Sequence, residues 1–277
     1  MTLFLFLCSL FTIIVSQAKA GDPVSCDNSR GNYTANSTYD NNLKTLLSNF
    51  SSHTEINYGF YNLSYGQHPD KIKAIGLCRG DIEPDQCRTK LNNSIGYLRE
   101  QCPNQKEAIL WGADFTLWYS YRLIFGILET NPSTYSNYHI NDQDSTQYNE
   151  ALSLVMVLMI NLTAKAASGD SRRKYAAGSV NTQLYGLVQC MPDLSSQDCS
   201  NCLYTATSEI QKNDFFSDVF KPSCRIQYDT YRFYNSTIEL DSLSLPPSPL
   251  PTSAFSNNTL GKLLTAPYLK LKQIYLN

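Results

Sequence analysis

Apolar residues recur every three or four positions in the second half of the chain, which is the spacing of one helix face. The segment YNEALSLVMVLMINL is therefore predicted to be a helix, and a similar pattern in YDNNLKTLLSNF predicts one in the first half. The inner stripe of the later helix is predicted to consist of Tyr148, Leu152, Val155, Met159, Leu162 and Ala166. A further helix is predicted over PDQCRTKLNNSIGYLREQC, with Asp85 as its N-cap. Its inner stripe is predicted to comprise Cys87, Leu91, Ile95 and Leu98.

Three apolar residues of the segment 151–162 lie off the predicted stripe, namely Leu154, Val157 and Leu158. A surface helix carries polar residues at such positions. One interpretation is a wide buried face within the same domain. The other is a second face that packs against the first half of the chain or a partner, since exposed apolar patches mark contacts. Asn161 follows Val157 and Leu158 by one turn, so a glycan there would keep that end of the helix open.

Short aromatic and β-branched runs lie between and after the helical segments. The runs YGFYNLSYG, KIKAIGLC, AILWGADFTLWYSY and CRIQYDTYRFY are typical of antiparallel strands. Two helices on one face of such a sheet is the α+β class. The sequence thus predicts α+β modules, each with two helices packed on an antiparallel sheet.

The first twenty residues are an apolar run that ends in Ala18-Lys19-Ala20, a small-x-small pattern. Residues 1–20 are predicted to be a signal peptide cleaved before Gly21. Eight Asn-x-Ser/Thr sequons fit passage through the secretory pathway. They are Asn32, Asn36, Asn49, Asn62, Asn92, Asn161, Asn235 and Asn257.

A cysteine pattern repeats along the chain. CRGDIEPDQCRTK begins at Cys78, and CMPDLSSQDCSNC begins at Cys190, 112 residues later, with matching flanks. The chain is therefore predicted to contain two copies of one module, at 26–128 and 138–240. The first holds Cys26, Cys78, Cys87 and Cys102, and the second holds Cys190, Cys199, Cys202 and Cys224. An even count in each half predicts disulfides within each half, and nine connectivities then remain open.

The Cys-x8-Cys-x2-Cys spacing, the approach YGQHPDKIKAIGLCRGD and the continuation CPNQKEAILW resemble the plant salt-stress/antifungal domain. This is the ginkbilobin-type module of cysteine-rich receptor-like kinases and cysteine-rich repeat secretory proteins. The resemblance covers nearly all of the chain from residue 21 to about residue 240. It implies the same α+β fold. It also implies four disulfides: Cys26–Cys102, Cys78–Cys87, Cys190–Cys199 and Cys202–Cys224.

Each copy lacks both ends of one bridge that the family has. In the first copy, Lys90 and Phe115 occupy the two positions. Losing both ends leaves no reactive thiol, only a stability deficit of about 2–4 kcal/mol. We expect Phe115 to recover part of that by burying its ring, and Lys90 to keep its ammonium in solvent. Restoring the bridge is predicted to raise stability.

Several function classes find no support in the composition. The net charge of −2 and the absence of a basic run argue against a nucleic-acid partner. His53, His68 and His139 lack metal-ligand spacing, and the paired cysteines leave no thiolate nucleophile. Cys199-x2-Cys202 has the spacing of a redox dithiol, but two half-cystines with different partners are favoured in a secreted chain. No enzyme, cofactor or metal is expected.

Mannose-binding members of the family, ginkbilobin among them, use an Asn, an Arg and a Glu. The matching positions in the first copy are Asp27, Ile109 and Ser120. In the second copy, Asp218 replaces the Arg and Asp229 replaces the Glu, and no Asn follows an N-terminal cysteine. Since only Asp229 keeps its chemical character, the resemblance implies that most of this sugar site is missing.

The segment 241–277 begins with a Pro- and Ser-rich stretch, which predicts an extended tail. No apolar run there is long enough to span a membrane. The sequence is therefore interpreted as a secreted, non-enzymatic recognition protein of plant extracellular (apoplastic) stress or defence signalling, with an unknown protein or glycan partner. The alternatives are an antifungal mannose-binding lectin and a truncated receptor-like kinase ectodomain.

Overall fold

The structure, a computed structural model, describes residues 21–54, 56–139, 145–180, 183–210 and 214–235. The predicted signal peptide, the 241–277 tail and the sequon at Asn257 lie outside the described residues. The side chains of Tyr148 and His139 also lie outside the description. The module boundaries stay predictions.

The first half of the chain forms one antiparallel sheet with two helices. Its elements are β1 (Val24–Cys26), α1 (Thr38–Ser48), β2 (Phe60–Tyr65), β3 (Ile72–Cys78), α2 (Pro84–Gln101), β4 (Glu107–Gly112) and β5 (Phe115–Ser120). The strand order is β1-β4-β5-β3-β2. The predicted run AILWGADFTLWYSY is thus a hairpin, β4 and β5, that turns at Ala113 and Asp114.

The second half repeats this arrangement. Its elements are β6 (Thr134–His139), α3 (Ser145–Ala167), β7 (Lys174–Val180), β8 (Leu184–Cys190), α4 (Ser196–Thr207), β9 (Asp214–Phe220) and β10 (Cys224–Asp229). The order β6-β9-β10-β8-β7 matches the first sheet strand for strand. Two five-stranded antiparallel sheets, each with two helices, confirm the α+β prediction.

Two helices begin at serine N-caps. Ser37 accepts a hydrogen bond from the Asp40 backbone N–H at 3.3 Å, and Ser195 accepts one from that of Asp198 at 3.0 Å. Each bond satisfies a backbone donor that the first helical turn leaves free.

The prediction that Asp85 caps α2 is wrong. The N-cap is Glu83, with Pro84 at the first helical position, where its fixed φ favours helix initiation and its missing N–H costs nothing. Asp85 lies inside the first turn and pairs with Arg88 one turn later.

Helix α3 has a wider buried face than the predicted stripe. Leu158 is fully buried and lies against Gly186 of β8, where a Cβ would be 2.8 Å from its Cδ2 atom. Leu154 is also buried, whereas Leu152 is only half-buried and Val157 is exposed. For Leu158 the structure therefore supports the interpretation of a wide face within one module, whereas Leu154 belongs to the hydrophobic cluster that the two halves share.

Four disulfides are present, and they are the pairs that the resemblance implies. Cys26–Cys102 and Cys78–Cys87 lie in the first half. Cys190–Cys199 and Cys202–Cys224 lie in the second half. Cys199 and Cys202 have different partners, so they do not form a dithiol pair with each other.

Each sheet packs its helices on one face. In the first half, Leu43, Leu47 and Leu91 from the helices pack with Ala74 and Leu117 from the strands in one core. In the second half, Leu158, Met159 and Leu203 pack with Val188 and Ile226. Among the described residues, none of the helices combines the length and the apolar character that crossing a bilayer requires.

Candidate functional site: the junction between the two halves

The helix-free face of the first sheet is apolar and buried. Strand alternation turns six of its side chains away from α1 and α2. They are Phe60, Ile75, Leu77, Ile109, Trp111 and Trp118. These residues belong to the same hydrophobic cluster as residues of the second half, including Phe220 and Met191. The two halves therefore share a core, which we call the junction.

Polar side chains of the second sheet bind the backbone of the first half at this junction. Arg225 of β10 is 5% exposed and donates to the Ala113 carbonyl oxygen at 2.8 Å. Gln189 of β8 donates to the Cys78 carbonyl oxygen at 3.0 Å. In the other direction, the Trp111 indole N–H donates to a second-half carbonyl, that of Lys221, at 3.3 Å.

Burial has a marked electrostatic effect on Arg225. Removal of its guanidinium from water lowers the pKa of Arg225 to about 10, an effect that neighbouring Asp218 opposes. The guanidinium also lies 4.6 Å from the centre of the Phe220 ring, a cation–π contact.

A short segment after β10, residues 230–235, crosses from the second half to the first, and we call it the strap. Arg79 donates to the Phe233 carbonyl oxygen at 3.0 Å and lies 5.9 Å from the Phe233 ring centre. The Asn235 backbone N–H donates to Asp81 Oδ2 at 2.9 Å, and Asp81 in turn pairs with Arg79 at 2.6 Å. Tyr234 is buried in the cluster beneath. The strap thus closes one side of the junction.

The connection between β5 and β6 closes another side. Arg122 pairs with both Glu107 and Glu129, which folds the connection back on β4. Ser223 of the second half accepts the Glu129 backbone N–H at 2.8 Å, and Asp193 accepts that of Gly126 at 2.8 Å. These contacts fix the connection to both halves.

The positions of the sugar site in the first copy lie at this junction and are closed. Asp27 accepts hydrogen bonds from the backbone N–H and the hydroxyl of Ser29, which, with Arg30, lower its pKa. Ile109 is 3% exposed, and Ser120 is fully buried and donates to Glu107. The cavity beside them has a volume of about 20 Å³. Its lining residues are Ser25, Asp27, Glu107, Ala108, Ile109, Trp118, Pro132 and Pro222. That is room for about one water, not for a sugar ring.

The corresponding positions of the second copy lie on the helix-free face of the second sheet. Asp218 is half-buried, and its Oδ1 atom is buried without a hydrogen-bond partner. Burial raises the pKa of Asp218 to about 6; Asp229 adds to the rise and Arg225 opposes it. Asp229 accepts the backbone N–H of Tyr231 at 3.2 Å, so it turns the chain into the strap. Asp229 thus shapes the start of the strap, whereas Asp218 keeps one carboxylate oxygen without a hydrogen-bond partner.

An ion pair occupies the place of the missing first-half bridge. Lys90 Nζ lies 2.9 Å from Asp114 Oδ2, so α2 is linked to the β4–β5 turn, next to Phe115. Phe115 is 6% exposed and belongs to the first core, as expected. A partly exposed pair of this kind contributes about 0–1 kcal/mol, less than a disulfide.

Sequence reasoning missed the polar residues of the junction. Period-two alternation does place Arg225, Gln227 and Asp229 on one face of β10, and this signal was available. It indicates a polar face, which in an antiparallel sheet is ordinarily solvated. Among the described residues, no group of three His, Cys, Asp or Glu side chains is arranged to hold a metal ion.

Two α+β modules, each with two internal disulfides and joined through a shared core, define a tandem cysteine-rich fold. The sequence profile of the salt stress response/antifungal family matches residues 25–122 and 132–231. The chain belongs to this family.

Two solved structures have the same fold. The tandem DUF26 ectodomain of the Arabidopsis thaliana cysteine-rich receptor-like protein PDLP8 aligns with a TM-score of 0.65 and 17% identity. That alignment covers 76% of this chain and 98% of the other. The tandem DUF26 ectodomain of PDLP5 from the same plant aligns with a TM-score of 0.62 and 20% identity, over the same shares of the two chains.

Arabidopsis thaliana receptor kinases are similar in sequence. Cysteine-rich receptor-like protein kinase 29 is 36% identical over 244 residues, which are 84% of this chain and 36% of the kinase. Cysteine-rich receptor-like protein kinase 7 is 36% identical over 265 residues, which are 91% of this chain and 39% of the kinase. The chain thus spans little more than a third of the length of these relatives.

Proposed function

We propose that this protein is a secreted, non-enzymatic recognition protein of plant extracellular stress or defence signalling, and that it binds its partner on its outer surface. The observation that carries this proposal is the closed junction. In the first copy, the positions that form a sugar site in mannose-binding members are either buried or hydrogen-bonded to neighbouring residues. In the second copy, Asp218 stands where those members have an arginine. These observations favour a ligand that binds elsewhere, on a surface that the two halves present together.

Three further observations support an extracellular role. The four disulfides are typical of oxidising compartments. The two solved structures with this fold are ectodomains of cysteine-rich receptor-like proteins. Sequon asparagines Asn32, Asn36, Asn62, Asn92 and Asn235 are exposed and Asn161 is half-buried, so that a glycan at each of them is compatible with the fold.

The test compares two binding assays on the secreted, glycosylated protein. On a glycan array, we expect no binding to mannose-containing glycans. In a pull-down from plant extracellular fluid, we expect the oxidised protein to capture a partner and the reduced, unfolded protein not to. The variant Asp229→Asn is the matched control, and we expect it to retain capture. Mannose binding that Asp27→Ala or Asp229→Asn abolishes would instead support the lectin function.

A receptor ectodomain is the second candidate, because the relatives that match most of this chain are receptor kinases. Sequencing of the 3′ end of the transcript distinguishes the two. In-frame sequence for a membrane helix and a kinase domain would establish the receptor, and a stop codon after Asn277 would exclude it.

A further inference from the structure

One buried hydroxyl in α3 makes no hydrogen bond. Thr163 is 1% exposed, and its Oγ1 atom has no hydrogen-bond partner. A helical threonine usually donates to a carbonyl three or four residues earlier, and an unpaired buried hydroxyl is destabilising. Valine has nearly the same shape and no such group to leave unpaired. Packing therefore does not explain why a threonine stands here.

The sequence around Thr163 does explain it. Thr163 is the third residue of the sequon Asn161-Leu162-Thr163, in which oligosaccharide transfer to the asparagine requires the hydroxyl. The hydroxyl residues of other sequons, such as Thr34, Thr38 and Ser64, are exposed, where a threonine or serine is ordinary. A buried hydroxyl without a hydrogen bond destabilises the folded protein, so the presence of Thr163 calls for an explanation other than stability.

We propose that Asn161 carries an N-linked glycan whose first sugars lie over Val157 and Ile160 of α3. The proposal rests on the proposed function in so far as it requires passage through the secretory pathway. Because Thr163 is buried in the folded protein, transfer must precede folding of α3.

The transfer step uses a donor oligosaccharide carried on a lipid pyrophosphate. The Asn161 Nδ2 atom attacks the anomeric carbon of the donor, so that a C–N bond forms and the C–O bond to the pyrophosphate breaks. The lipid pyrophosphate and one amide proton leave, and no atom is oxidised or reduced. The amide keeps one N–H. In the structure Nδ2 donates to the Val157 carbonyl oxygen at 2.8 Å, a bond that the remaining N–H can retain.

The geometry of α3 directs such a glycan over apolar side chains. Helical side chains lean toward the N-terminus of their helix, and the Asn161 amide does reach back one turn to Val157. Val157 is 37% exposed and Ile160 is 51% exposed, although both are large and apolar. Pyranose rings present C–H faces that pack on aliphatic side chains. The glycan thus gives these two residues a covering partner.

The test uses the full chain expressed in plant cells, with two matched substitutions. Thr163→Val destroys the sequon and keeps the side-chain shape, whereas Thr163→Ser keeps the sequon. Peptide mass spectrometry, before and after treatment with a peptide N-glycosidase that converts glycosylated Asn to Asp, reads the occupancy of Asn161. We expect a glycan in the wild type and in Thr163→Ser, and its loss in Thr163→Val. Asn161→Gln provides the same loss if the valine variant fails to fold.

A hydrophobic fluorescent dye measures whether the glycan covers the apolar residues. The Thr163→Val protein should bind more dye than the wild type, and adding Val157→Ser with Ile160→Ser should return binding to the wild-type level. Equal dye binding with and without the glycan would overturn the coverage. Secretion with an empty Asn161 would overturn this inference alone, whereas retention of an unglycosylated chain in the cytosol would overturn the proposed function as well.

Discussion

Substituting Gly80 by alanine should weaken the packing of the two halves of the protein against each other. Gly80 lies in the turn after β3, and a Cβ there would be 2.5 Å from Cγ and 2.9 Å from Cβ of Tyr175, on β7 of the second half. These atoms are at the root of the side chain, so the ring cannot rotate away without moving the strand. Tyr175 is itself 7% exposed and packed in a cluster with Leu187 and Tyr234.

The size and sign of the effect follow from two opposing contributions. Gly→Ala stabilises a protein by about 0.4–1 kcal/mol where the backbone allows it, because the unfolded chain loses entropy. Overpacking a filled site costs about 1–3 kcal/mol. The net loss at Gly80 should be about 1–2 kcal/mol, or roughly 2–8 °C in Tm for a chain of this size. Gly96→Ala is the control: a Cβ at this exposed position in α2 meets nothing within 4 Å. That variant should gain up to about 1 kcal/mol.

Intrinsic fluorescence during urea denaturation is a suitable assay, because the chain has two tryptophans and both, Trp111 and Trp118, lie in the junction. The decisive comparison is a double-mutant cycle. In a Tyr175→Ala background the penalty of Gly80→Ala should shrink but not vanish, because the contacts with Cγ and the ring are removed whereas the Cβ atom at 2.9 Å remains. A Gly80→Ala variant as stable as Gly96→Ala, or a penalty of unchanged size without the Tyr175 ring, would refute the junction as described.

Three further substitutions test other parts of the structure. The pair Lys90→Cys with Phe115→Cys should form a bridge worth about 3–4 kcal/mol relative to the matched serine pair. The gain over the wild type predicted from the sequence is no longer expected, because Phe115 is buried and its ring is lost in the variant. Denaturant unfolding of the three proteins measures both differences. Burial raises the pKa of Asp218 to about 6, so between about pH 4 and 6 the folded protein holds a proton that the unfolded chain releases. The free energy of unfolding of the wild type should therefore fall as the pH rises from about 4 to 6, and Asp218→Asn should remove this fall. A variant with the wild-type slope there would contradict this. Asp81→Ala should release the strap and speed tryptic cleavage after Arg232, with Asp81→Asn intermediate; unchanged cleavage would show that other contacts hold it.

The sequence predictions were accurate where a residue pattern repeats within one segment, and they failed where an element depends on contacts with distant residues. The stripes of α2 and α3 were recognisable because helix periodicity repeats over many residues. The strand β7, KYAAGSV, was not among the predicted strands, since alanine and glycine have low strand propensity. β6 was also missed; it pairs with β9, more than 70 residues later, so no local signal marks it.

The width of the α3 face was left open for a related reason. Leu154 and Leu158 fit both interpretations until the position of β8 is known. Gly186 then decides the matter, because the absence of a side chain there lets Leu158 approach the sheet. A pattern along one helix carries no information about the surface that it meets.

The sequence by itself determined the α+β class, the twofold repeat and, through the family resemblance, the four cysteine pairs. Those features depend on spacing, which is a property of the chain alone. Only the tertiary structure decided that the helix-free face of the second sheet contacts the first half, that Arg225 is buried there and that the first-copy sugar-site positions are closed. Strand alternation defines two faces for each sheet, but burial depends on what the other half of the chain brings against them. The physical reason is that the free energy gained by burying a face depends on both surfaces in contact, and the sequence of one strand specifies only one of them.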